Sequence, residues 1–134
     1  MPTSGLAAAQ PFLRSLMRIM AGFLFLEHGL QKMFGLLGGM GGSGVTAHFI
    51  SIAWVGGFLE LIGGSMILLG LYTAPVAFVL SGEMAVAYFG WHYSRGFWPL
   101  LNHGELAVLY CFVFLYLSAA GGGPLSLDHL IRKK

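Results

Sequence analysis

Phe49–Tyr72 reads FISIAWVGGFLELIGGSMILLGLY, and Glu60 is its only charged residue. Crossing about 30 Å of hydrocarbon takes roughly 20 helical residues, so this stretch is long enough and apolar enough to span a bilayer. At about 100° per residue, Gly56, Glu60, Gly63 and Gly70 fall on one face. Small residues on one face let a second helix approach closely, which places Glu60 in a packed helix interface instead of in lipid. Three more stretches of similar character flank it: about Phe12–Phe34, Ala74–His92 and Asn102–Ala120. The glycine-rich Gly35–Gly44 reads as a flexible outer loop, Thr73-Ala74-Pro75 as a tight turn, and Tyr93–Leu101 as a second loop. Gly121-Gly122-Gly123-Pro124 stops the last helix.

The expected fold is an all-α membrane protein. A single domain over residues 1–134 forms a four-transmembrane-helix bundle with up-down-up-down topology, since short connections force neighbours to run antiparallel. An even number of spans puts both termini on one side, with Arg14, Arg18, Arg132, Lys133 and Lys134. The other side has only Lys32 and Arg95. The positive-inside rule then predicts cytoplasmic termini in a bacterial-type inner (plasma) membrane. Trp91, Tyr93, Phe97 and Trp98 sit where an interfacial aromatic belt is expected. Met1–Pro11 lacks the positive n-region of a cleaved signal, so the first apolar stretch reads as a retained membrane helix.

Composition points the same way. The chain is 57% hydrophobic and 9% charged, too few charges to cover a water-facing surface, where about a quarter of residues are charged. The lipid bilayer is therefore the first expected partner. A net charge of +2, with no basic run interleaved with aromatics, excludes a nucleic-acid groove. Cys111 is the sole cysteine, so the chain cannot run dithiol–disulfide chemistry alone.

Ionisable groups within membrane segments usually face the bundle interior and are paired or functional. Arg14, Arg18, Phe25, His28 and Lys32 share a stripe on the first helix, from which Glu27 points away. On the third, Ser81, Ala85, Tyr88 and His92 align while Glu83 lies on another face. On the fourth, Asn102, Glu105, Leu109, Phe112 and Tyr116 align. If these stripes converge, they form an outward-opening polar pocket of His28, Lys32, Glu60, Tyr88, His92, Asn102 and Glu105. Glu60 and Glu105 are then its candidate catalytic acids, with Glu27 and Glu83 outside it. No metal site is expected, because Glu27 and His28 diverge by about 100° and His103 and Glu105 by about 160°, whereas di-iron bundles use Glu-x-x-His on one face.

The order of these motifs resembles the DoxX family. Arg18, His28-Gly29 and Lys32 are followed by Glu60-Leu61-Ile62-Gly63-Gly64 and Gly70. Next come Ala87-Tyr88-Phe89, His92, Trp98-Pro99 and Asn102-His103-Gly104-Glu105, and last Gly121, Pro124 and Ser126-Leu127-Asp128. The resemblance runs from about Leu13 to Asp128. His103 stands where the family pattern commonly has a small residue. The resemblance implies a four-helix membrane protein, from a family named after a subunit of a membrane thiosulfate:quinone oxidoreductase.

The expected role is a subunit or accessory of a membrane redox system linked to a quinone or a small sulfur compound. A quinone is the candidate cofactor, and the expected partner is a redox subunit or further copies of this chain. The sequence carries no haem-attachment, iron–sulfur or nucleotide motif, so electrons would come through a partner or the substrate. A small transporter or channel, or a structural partner without chemistry, are the alternatives. Helix glue alone is a weak account, because interhelical polar contacts average about 0.6 kcal/mol while a charge at mid-bilayer costs about 2.5–3.5 kcal/mol.

Overall fold

The computed structural model describes residues 4–133. Lys134, part of the C-terminal basic cluster, lies outside them. Every regular element among the described residues is helical, and one isolated bridge pairs Met40 with Val45. A short α1 (Gly5–Ala8), capped by the Ser4 hydroxyl, leads into α2 (Gln10–Phe34). Gly35, in the left-handed conformation, ends α2 by returning its N–H to the Gln31 carbonyl. The next helix, α3, runs Ile52–Leu69 and is shorter at both ends than the apolar stretch. Ser51 sets its start by accepting from the Trp54 N–H at 3.1 Å. Gly70, at φ +69°, turns the chain out of it.

After Tyr72 the chain re-enters α4 (Thr73–Ala87), which continues through a π-turn (Tyr88–His92) and a 3-10 turn (Tyr93–Arg95). The second predicted loop is thus partly helical, and α5 (Pro99–Asn102) adds one more turn. Helix α6 (Glu105–Ala120) and the short α7 (Leu127–Arg132) complete the chain. Ile52–Leu69 and Thr73–Arg95 are long and apolar enough to cross a membrane, while α6 is apolar but has 16 residues.

Glycines fix how the helices meet. A β-carbon on Gly22 would lie 2.5 Å from the Leu68 nitrogen, and one on Gly29 2.4 Å from the Leu61 nitrogen. These pairings bring α2 and α3 into backbone contact, running antiparallel. Between α3 and α4 a side chain makes the contact instead, where Leu80 fills the space over Gly63. Helix α3 therefore has two glycine faces: Gly57 and Gly64 against α2, Gly56 and Gly63 against α4. Glu60 lies between them. At the centre, Phe25 packs edge-on against Tyr110 at 5.1 Å and Phe114 at 4.9 Å, with Ile67, Leu80 and Leu117 buried around them. Phe78, Val86, Leu109 and Phe112 point outward, as lipid-facing side chains would.

Candidate functional site

Seven residues were expected in one pocket, and the structure distributes them over several places. Lys32, in the last turn of α2, and Glu60, in the middle of α3, form an ion pair at 2.8 Å. Lys32 reaches Glu60 because Gly57 offers no side chain, so the Lys32 stem lies directly on the α3 backbone. The Glu60 side chain is 5% exposed and that of Lys32 28%. The ammonium thus reaches toward the surface while the carboxylate stays inside.

Glu83 joins them. A methyl group on Gly56 would meet Glu83 Oε1 at 3.4 Å and Lys32 Nζ at 3.9 Å. This corrects the expectation that Glu83 points away from the polar interior. A helical wheel orders the residues of one helix but does not show which face its neighbour takes. Helix α4 turns the Leu80 edge to α3, and Glu83 lies one turn further along that edge. Two carboxylates therefore lie close to one ammonium, and Glu60 alone pairs with it. Each keeps a buried oxygen, Glu60 Oε2 and Glu83 Oε2, without a hydrogen-bond partner, as does the buried hydroxyl of Tyr110. His28, half-buried, stands edge-on to the Tyr110 ring at 6.4 Å. Among the described residues, no three His, Cys, Asp or Glu side chains converge as a metal-binding group.

Tyr88, His92 and Asn102 form a second, separate network. Asn102 is fully buried; its amide donates to the Tyr88 hydroxyl at 3.2 Å and to the Gly96 carbonyl at 2.8 Å, and its oxygen accepts from the Gly104 N–H at 2.8 Å. The Tyr88 hydroxyl donates to the Phe97 carbonyl, and His92 Nδ1 lies 3.0 Å from the Asn102 carbonyl. Every buried side-chain group here has a partner, so the network clasps the Tyr93–Gly104 segment. Gly104 is required because a β-carbon there would strike the Tyr88 ring at 2.8 Å. Glu105 is exposed in the first turn of α6 and lines a shallow groove with Pro99, Val108, Leu109 and Phe112. There its charge suits the helix N-terminus.

At the terminal end, the buried Arg18 donates from Nε to the Gly122 carbonyl at 2.8 Å. Its Nη1 donates to the Ile67 and Leu68 carbonyls at 2.6 and 2.7 Å, and its Nη2 to the Leu125 carbonyl. Asp128 accepts from the Tyr72 and Thr73 N–H groups at 2.7 and 2.9 Å. Sequence reasoning gave Asp128 no role, although it stands in the Ser126-Leu127-Asp128 motif.

A DoxX family model matches residues 13–93. The chain belongs to the DoxX family. It is a membrane protein of that family. An uncharacterized protein of Haemophilus influenzae is 38% identical over 129 residues, covering 93% of this chain and 95% of the relative. A Bacillus subtilis protein named "Putative oxidoreductase CatD" is 27% identical over 118 residues, 88% of this chain and 86% of its own. No solved structure matches the chain.

Proposed function

We propose that this DoxX protein spans the inner membrane four times with both termini cytoplasmic. It serves a membrane redox system as a subunit or accessory, and the Lys32–Glu60–Glu83 cluster binds a quinone head group or a small sulfur compound. The observation that carries the reading is the pair of buried carboxylate oxygens without partners. An unsatisfied buried polar group is costly, about 1–3 kcal/mol and more when charged. Such a cost is retained where the group has work to do. A quinone takes up two electrons and two protons on becoming a quinol. Lys32 would hold one carbonyl oxygen, Glu60 and Glu83 would pass protons, and electrons would arrive through a partner subunit. The name of the Bacillus subtilis relative supports the redox class.

The test is purification in mild detergent, followed by mass spectrometry of bound quinones and co-purifying proteins. Wild type should carry a quinone or a redox partner, and a Glu60→Gln/Glu83→Gln double variant that still inserts should lose the quinone. Recovery of neither from wild type, or full retention of the quinone by the double variant, would sink the proposal.

A further inference from the structure

A cleft of about 390 Å³ opens at the terminal end, far from the Lys32 cluster and independent of the redox reading. It lies where the N-termini of α2 and α4 and the C-terminus of α6 meet α7. Its walls include Arg14, Thr73, Gly122, Asp128, His129 and Arg132. Arg14 Nε is buried in the fold with no hydrogen-bond partner, whereas Thr73, a residue with no exposed surface, turns its side chain to Asp128. Gly122 packs closely on that side chain, since a β-carbon there would sit 2.8 Å from Thr73 Oγ1. The one acid in the wall, Asp128, already accepts the two α4 N–H groups. Two guanidinium groups and a histidine therefore line a volume large enough for a small ligand.

Guanidinium donors match the oxygens of a phosphate. The surroundings add a second element: Phe12, Leu13, Tyr72, Leu125, Leu130 and Ile131 are exposed near this end. Apolar side chains beside a basic cleft suit the boundary between acyl chains and headgroups.

We infer that the cleft binds a phosphate group, either of an anionic phospholipid headgroup or of free phosphate. Arg14 and Arg132 hold its oxygens, and His129 closes one side.

The experiment uses the full chain in nanodiscs of phosphatidylcholine, alone or with phosphatidylglycerol, and in detergent with inorganic phosphate. Binding is read by thermal shift and by native mass spectrometry. Wild type should bind phosphatidylglycerol saturably. Arg132→Gln, at an exposed position that should not disturb folding, should weaken binding about tenfold or more, the scale of a lost charge-assisted hydrogen bond. Arg14→Gln should do the same, and Lys133→Gln, outside the cleft wall, should leave binding unchanged. Competition by inorganic phosphate would mark a site for the phosphate group itself; phosphatidylglycerol binding without competition would mark a headgroup site. Equal loss in Lys133→Gln and Arg132→Gln would reduce the effect to diffuse surface charge and overturn the proposal. So would binding of neither probe by wild type.

Discussion

Two cations of helix α2, Arg18 in its first half and Lys32 in its last turn, are treated in opposite ways. Arg18 gives its donors to four backbone carbonyls and meets no carboxylate within hydrogen-bonding distance. Two of those carbonyls, Ile67 and Leu68, belong to the last turn of α3, where carbonyls run short of intrahelical donors, although that of Ile67 also accepts from the Gly70 N–H at 3.1 Å. A planar fork of donors serves several such acceptors at once, and a cation at a helix C-terminus also suits its dipole. At the other end, Lys32 meets one oxygen of Glu60, while Glu60 Oε2 and Glu83 Oε2 go without partners. Arg18 completes the backbone around it. Lys32 leaves its surroundings incomplete. A completed network explains itself as structure, whereas an incomplete one leaves capacity for a proton or a ligand.

Arg18→Met tests this difference hardest. It should destabilise the protein by about 3–5 kcal/mol, because burial persists while the carbonyls lose their donors. The check is thermal or denaturant unfolding in detergent. Arg18→Lys should recover part of the loss, since a single ammonium serves fewer acceptors than the fork. A melting temperature unchanged in Arg18→Met would remove the structural role assigned to that end.

Glu60→Gln should change stability by less than about 1 kcal/mol, the scale of interhelical polar contacts. Lys32 is partly exposed and can turn its ammonium outward when its partner loses its charge. If Glu60→Gln were as damaging as Arg18→Met, the two ends would be equivalent and the cluster a structural pair.

The contrast also explains what was legible in the sequence. Helical character and close packing could be read from Phe49–Tyr72, because glycine positions on one helix depend only on its own period. The Glu60 environment was half visible for the same reason. Glu83 was misplaced because its neighbour is set by how α4 leans on α3, a tertiary fact that no single-helix wheel contains. Glu105 was grouped with Glu60 by motif and stripe, but the α5 turn and His103, at φ +59°, set the start of α6 so that Glu105 stays outside. Tyr88, His92 and Asn102 read as pocket residues from sequence, yet their partners are mostly loop carbonyls of Phe97, Gly96 and Asn102, which sequence does not display. The carbonyl clamp on Arg18 was hidden likewise, since every residue carries a carbonyl.

The smallest effect belongs to Asp128, which extends the Arg18 network into the surface. Burial alone would raise its carboxyl, but hydrogen bonds from Thr73 and Tyr72 and the charge of Arg132 outweigh it and hold the group below the ordinary carboxylate value. A group whose folded value is depressed stabilises the fold above its unfolded value, near pH 4, and that stability is lost as pH falls through the folded value. Wild type should therefore lose melting temperature progressively below about pH 4. Asp128→Asn should melt slightly lower than wild type at neutral pH, because the charge at the start of α4 is gone, and should show a shallower acid decline. The difference is small, since the group is partly exposed and screened by solvent. An acid decline identical in the two proteins would place the pH-sensitive group elsewhere and separate Asp128 from the Arg18 end.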